Sequence, residues 1–91
     1  MENLFDKVDF IVTPATGCLP PMIHKNAESA GESDLGTLDR VMRFAPLSNL
    51  TGHPAITFPV GYADGNVPVA AQLIGPAWSE MALLSAAHAF E

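Results

Sequence analysis

The sequence predicts a mixed α/β fold in which helices flank a small sheet. Stretches of two-residue hydrophobic alternation occur near the start and in the middle of the 91-residue chain, and stretches of helical periodicity lie between and after them. The predicted order is strand, loop, helix, β-hairpin and helix, which is typical of mixed layer structures. A chain of this length forms at most one domain.

The β-hairpin is the central predicted element. Residues 55–60 alternate, and one face of this strand carries the large apolar side chains Ile56, Phe58 and Val60. Asp64-Gly65 is a strong signal for a hairpin turn. Residues 69–74 are nearly all apolar, which predicts a strand covered on both faces. Gln72 is the polar exception, and its amide either joins neighbouring loops, which we favour, or reaches a substrate pocket, because an unpaired buried amide costs about 1–3 kcal/mol.

The N-terminal part is predicted to hold one strand and one long loop. Residues 8–13 alternate as in a strand, and Pro14 is expected to end its hydrogen-bond ladder because proline has no N–H. Residues 15–34 are rich in Pro, Gly, Ser and Asn and show little periodicity. A loop of about 20 residues is unusual in a compact domain, so a functional loop and a plain surface loop both stay open.

Three segments are predicted to be helical: residues 2–5, 36–50 and 80–90. Thr37 is a plausible N-cap of the second helix, and Pro46 is expected to kink that helix or restart it. Ser79 is a good N-cap for the third helix. Its buried stripe is predicted to comprise Leu83, Ala86, Ala87 and Phe90.

The composition indicates that the chain is part of a larger hydrophobic core. Apolar residues make up 48% of the chain and charged residues only 15%, below the usual quarter. The alternatives are an ordinary apolar domain and an obligate oligomer. A net charge of −6 gives no support to nucleic-acid binding. The chain shows no signal peptide or membrane span, and its single cysteine, Cys18, favours a reducing, cytoplasmic location.

The sequence shows no complete catalytic or metal-binding motif. His24, His53 and His88 lack the spacing of a metal site, so we expect no metal and no cofactor. Cys18 has no local motif of a nucleophile and is expected to be an unreactive thiol. No Gly-x-Ser-x-Gly elbow occurs.

Three stretches carry a resemblance to a known family. Residues 8–16 run Val-Asp-Phe-Ile-Val-Thr-Pro-Ala-Thr, residues 49–61 run Asn-Leu-Thr-Gly-His-Pro-Ala-Ile-Thr-Phe-Pro-Val-Gly, and residues 67–75 run Val-Pro-Val-Ala-Ala-Gln-Leu-Ile-Gly. In this order and spacing they resemble the C-terminal end of the amidase signature family. That family includes fatty-acid-amide hydrolases and the A subunits of glutamyl-tRNA amidotransferases. The resemblance implies that residues 1–91 are an incomplete C-terminal segment of an amidase domain.

The resemblance also implies a mechanism of nucleophilic acyl transfer. In the family a serine attacks the amide carbonyl, and a second serine in a cis peptide relays a proton from a lysine. This chain has no Gly-Gly-Ser-Ser-Gly-Gly stretch, and Lys7 and Lys25 do not match the context of the family's lysine. No catalytic residue is therefore carried over, and we expect the isolated chain to be inactive, with a small-molecule amide as substrate only in the complete enzyme.

By the same resemblance, Thr13, Pro14 and Ala15 are expected to line the substrate cavity, and Met42 is a further candidate. Amidotransferase A subunits tend to carry an acidic residue seven positions before the family's Asn, where this chain has Met42. An apolar side chain cannot pair with a substrate ammonium, which favours an apolar acyl amide of the fatty-acid-amide-hydrolase type. Two alternatives remain open: an amidotransferase A-subunit fragment, and a non-catalytic interaction module that associates with itself or a partner through exposed strand edges.

Overall fold

The computed structural model describes residues 2–22 and 34–90. In chain order its elements are α1 (Glu2–Phe5), β1 (Ile11–Pro14), α2 (Leu35–Val41), α3 (Ala45–Thr51), β2 (Ala55–Ala63), β3 (Val67–Ile74) and α4 (Glu80–Phe90). The predicted mixed α/β class and the predicted order of elements are confirmed. Of the predicted loop over residues 15–34, the part from 23 to 33, with His24, lies outside the described residues.

The sheet is antiparallel, and β3 is its central strand in the order β1-β3-β2. The C-terminal end of β3 is covered on both faces, because Gln72, Leu73 and Ile74 alternate between the faces and are all buried. The predicted hairpin turn at Asp64-Gly65 is confirmed, because Ala63 pairs with Val67 across it. Gly65 (φ 79°) and Asn66 (φ 60°) both take the left-handed conformation that the turn requires.

Strand β1 starts later and continues further than predicted. The Val8 N–H donates to the Leu4 carbonyl at the end of α1, so the chain leaves a helical turn before pairing can begin. Pro14 does not end the ladder, because the Ala15 N–H donates to the Ala70 carbonyl at 3.1 Å. Pro14 itself lies opposite Ala71, at a position whose main-chain nitrogen points away from β3, so no ladder hydrogen bond is lost.

A β-bulge in β2 overturns part of the predicted alternation. Pro59 pairs with Ala70 and Gly61 pairs with Val69, which leaves Val60 as an extra residue between them. Ile56 and Phe58 pack into the core as predicted, whereas Val60 is exposed. A bulge shifts the side-chain register of everything beyond it, so the simple period of two fails at that point.

The predicted helix over residues 36–50 is two helices. The break covers residues 42–44, and Pro46 lies in the first turn of α3, where its missing N–H has no cost. The N-cap of α2 is Asp34 and not Thr37, since one Asp34 carboxylate oxygen accepts from the Gly36 and Thr37 N–H groups at 2.9 and 3.4 Å. The Thr37 hydroxyl donates to the same carboxylate, and this bond, followed by the two from the backbone, lowers the pKa of Asp34.

The core is small and lies between the sheet and α4. It consists of the buried side chains Phe58, Leu73, Leu83 and Ala87. Phe90 of the predicted stripe is half exposed, although its ring lies 5.3 Å from that of Phe58. Many large apolar side chains are mostly exposed, among them Met22, Leu35, Leu50, Trp78 and Met81. The radius of gyration of 15.2 Å also exceeds the value of about 13 Å typical of a compact 100-residue domain.

Candidate functional site

An apolar groove of about 470 Å³ opens at the end of β1. One wall is the segment that follows β1, and the other wall is formed by β3 with one residue of β2. The lining residues are Pro14, Ala15, Thr16, Gly17, Cys18, Leu19 and Pro20 on the first wall, and Thr57, Pro68, Val69 and Ala70 on the second. Three prolines make much of this surface rigid as well as apolar.

Hydrogen bonds fix the first wall of the groove at Ala15 and at Gly17. The Ala15 N–H donates to the Ala70 carbonyl at 3.1 Å, which ties the wall to the central strand. The Gly17 N–H donates to the Arg40 carbonyl at 2.8 Å, which ties the wall to the end of α2. Between them the Thr16 hydroxyl donates to the Cys18 carbonyl at 2.7 Å and closes a local turn. The segment therefore has no regular secondary structure but is held in place.

Gln72 joins three parts of the structure beneath the groove. Its side chain is only 7% exposed. The Nε2 group donates to the Thr13 hydroxyl oxygen at 3.1 Å and to the Phe44 carbonyl at 3.3 Å. The Thr13 hydroxyl in turn donates to the Pro14 carbonyl at 3.0 Å. The favoured prediction, that the Gln72 amide joins neighbouring loops, holds for the turn between α2 and α3, whereas its other partner, Thr13, lies in strand β1.

The four residues predicted to line a substrate cavity occupy different places. Pro14 and Ala15 line the groove, while Thr13 lies behind it as the partner of Gln72. Met42 is 53% exposed and lines a separate surface depression with Leu35, Leu38, Asp39, Arg43 and Pro46. The two cavities share no lining residue. Sequence reasoning missed the second wall at Pro68, Val69 and Ala70, which comes next to Pro14 only through the register of β1 on β3.

Among the described residues that line the groove, none has a charged side chain. Its polar groups are the hydroxyls of Thr16 and Thr57 and the half-buried thiol of Cys18. Such a surface can accommodate an apolar chain, but it offers no acid and base pair for proton transfer. Within residues 2–22 and 34–90 no group of three His, Cys, Asp or Glu side chains could hold a metal ion. No helix in this described part is long and apolar enough to cross a membrane.

Comparison with known proteins assigns the family. The family profile named Amidase matches residues 1–84, which is most of the chain. The chain belongs to the amidase family. The resemblance of the three motif stretches is thereby confirmed.

Several members of the amidase family are similar to this chain over nearly its whole length. A fatty acid amide hydrolase of Medicago truncatula is 46% identical over 89 residues, and one of Arabidopsis thaliana is 42% identical over the same length. These matches cover 98% of this chain and 15% of each relative. The A subunit of a glutamyl-tRNA(Gln) amidotransferase from Carboxydothermus hydrogenoformans is 39% identical over 90 residues, covering 99% of this chain and 17% of the subunit. The chain thus spans about one sixth of the length of these relatives.

Proposed function

We propose that this chain is the C-terminal segment of an amidase domain that hydrolyses the C–N bond of apolar acyl amides. Its part in that reaction is to form one side of the cavity that holds the acyl chain. The observation that carries the proposal is the apolar, uncharged groove at Pro14 and Ala15, in a chain 46% identical to a fatty acid amide hydrolase. A cytoplasmic location, consistent with a single cysteine, belongs to the same proposal.

The chemistry of the groove suits a hydrocarbon chain better than a charged substrate. Each buried CH₂ group contributes about 0.8 kcal/mol to binding, and the proline, alanine, valine and leucine side chains of the walls supply the apolar surface. Among the lining residues that the structure describes, a substrate ammonium would find no carboxylate. The groove therefore favours acyl amides over the amidotransferase alternative, in which a substrate ammonium must be held.

We assign the nucleophile and its proton relay to residues outside this chain. The test is a chimera in which this chain replaces the matching 89 residues of the Medicago truncatula fatty acid amide hydrolase. We expect the chimera to hydrolyse palmitoyl amide, because the segment restores the cavity wall, and we expect the purified 91-residue chain to release no fatty acid. The assay is liberation of palmitic acid, followed by mass spectrometry.

The matched control is the same relative with those residues deleted, which should be inactive. A chimera that melts like its parent but cleaves no acyl amide would contradict the proposal. Turnover by the isolated chain, unaffected by repeated purification, would contradict the placement of the catalytic groups.

Met42 gives a second test of the substrate class. We propose that its half-exposed side chain, at the end of α2, contributes an apolar contact to the substrate cavity of the complete enzyme. Met42→Asp in the chimera should raise the KM for palmitoyl amide roughly tenfold, since a carboxylate must lose solvation beside a hydrocarbon chain. Met42→Leu is the control and should leave the KM within about twofold. An unchanged KM in Met42→Asp would remove Met42 from the cavity.

The outer edge of β2 favours one other function, a non-catalytic interaction module. The Gly75 N–H donates to the Pro54 carbonyl, and along an antiparallel pair hydrogen-bonded positions alternate with positions that form no hydrogen bond to the partner strand. The main-chain groups of Ala55 and Thr57 therefore point away from β3. No strand in the described part of the chain pairs with that edge. An added strand from a partner or a second copy could use it.

Size-exclusion chromatography of the isolated chain separates this alternative from the amidase proposal. A defined oligomer that melts cooperatively and is abolished by Thr57→Pro would support the interaction module, because proline removes an outward N–H without breaking the ladder to β3. A molten or aggregating chain would support the incomplete domain.

A further inference from the structure

We propose that Gly17 determines the width of the groove, and with it the length of acyl chain that the amidase accepts. The inference rests on the proposed function, since it concerns the same groove. Gly17, which lies outside the three motif stretches, would thereby be a specificity-determining residue. Gly17 contacts the end of α2 and also forms part of the groove wall.

The first observation is the hydrogen bond between Gly17 and the helix. Arg40 lies in the last turn of α2, where main-chain carbonyls have no N–H partner within the helix. The Gly17 N–H satisfies one of them at 2.8 Å. The C-terminal end of a helix carries partial negative charge, which strengthens an N–H donor at this point. The groove wall is thus docked on the end of α2 through Gly17.

The second observation is the absence of space for a side chain at residue 17. A Cβ atom on Gly17 would collide with the Arg40 carbonyl oxygen and would lie 3.1 Å from the Arg43 Cβ. The obstructing atoms are a main-chain oxygen and a Cβ, which no side-chain rotation can move aside. Any residue larger than glycine must therefore move the wall away from α2.

The third observation is that the opposite wall cannot follow such a movement. Val69 and Ala70 belong to the central strand β3, and both pair with β2 across the sheet. A displacement at Gly17 consequently changes the distance between the two walls, and the change in width acts on every substrate that extends into the groove.

Gly17→Ala in the chimera tests the inference with hexanoyl, decanoyl and palmitoyl amides. We expect the ratio of kcat/KM for palmitoyl amide to kcat/KM for hexanoyl amide to change by about tenfold or more, because a change of one methylene in an apolar pocket has effects of that order. We expect the change to lie mainly in the KM for the longer amides. Gly36→Ala is the matched control, because a Cβ there meets only an Asp34 carboxylate oxygen at 3.4 Å.

The outcomes separate this inference from the proposed function. If the parent chimera cleaves no acyl amide, the proposed function fails. If it is active and Gly17→Ala folds with an unchanged ratio, the inference about Gly17 is wrong and the proposed function stands. Should Gly17→Ala not fold, Thr16→Val removes the hydroxyl bond to the Cys18 carbonyl with little change of shape. Thr16→Ser keeps that hydrogen bond and is the control for the direct contact of residue 16 with the groove. A ratio shifted in Thr16→Val and not in Thr16→Ser would support the inference that the position of this wall sets the groove width, and an unchanged ratio in Thr16→Val would overturn it.

Discussion

Leu83→Ala is expected to destabilise the protein by about 2–5 kcal/mol, the range found for large-to-small changes in well-packed cores. Leu83 is 2% exposed and lies at the centre of the small core, against Phe58 and Leu73. Ala87, one turn further along α4, is too small to fill the space that the leucine would leave. The measurement is the unfolding temperature of the chimera by scanning calorimetry, compared with the unsubstituted chimera.

Leu84→Ala is a matched control for this prediction. Leu84 is the next residue of α4, the chemical change is identical, and its side chain is 53% exposed. We expect a much smaller effect, because less apolar surface is removed from a packed environment. Equal effects of the two substitutions would contradict the orientation of α4 on the sheet.

Gln72→Leu is expected to lower the free energy of unfolding by about 1–3 kcal/mol, although leucine fills a similar volume. The substitution removes the donor that the Phe44 carbonyl and the Thr13 hydroxyl oxygen both use. Both partners lie in a partly buried region, so the substitution leaves their oxygen atoms partly buried without this hydrogen bond, which is unfavourable. We expect a lower unfolding temperature of the chimera and, because Thr13 precedes the groove wall, weaker binding of palmitoyl amide.

A double-mutant cycle decides whether the network is the cause. Thr13→Val and Gln72→Leu should show a coupling energy within the range of about 0.5–3 kcal/mol found for residues that share a hydrogen bond. Thr57→Val, at the position of β2 that pairs with Gln72, removes an exposed hydroxyl and should be nearly neutral. Additive effects of the substitutions at Thr13 and Gln72 would show that the observed hydrogen bond does not contribute to stability.

Local patterns predicted most of the elements because those elements depend on local chemistry. The hairpin turn forms because Gly65 and Asn66 tolerate positive φ, and the buried positions Leu83 and Ala87 of α4 follow from helical periodicity. The prediction that Gln72 joins neighbouring loops came from its place on an apolar strand, since a buried amide must find partners. Its partners are Thr13 and Phe44. Their identity depends on the tertiary structure and could not be deduced from the sequence.

The departures from prediction have tertiary or competing local causes. Asp34 is the N-cap in place of Thr37 because its carboxylate can accept from two N–H groups, and the helix begins at Leu35, one residue earlier than predicted. The bulge at Val60 adjusts the pairing of β2 to β3, which no pattern within β2 reveals. For the groove, the family resemblance indicated Pro14 and Ala15, but the second wall and the contact of Gly17 with α2 required the register of the sheet.

The most direct test of the central claim is a crystal structure of the chimera with a long-chain acyl amide analogue that cannot be cleaved. We expect the alkyl chain to lie between Pro14 and Ala15 on one side and Val69 and Ala70 on the other. An alkyl chain bound elsewhere, with this groove filled by other residues of the enzyme, would contradict the assignment of the groove to substrate binding.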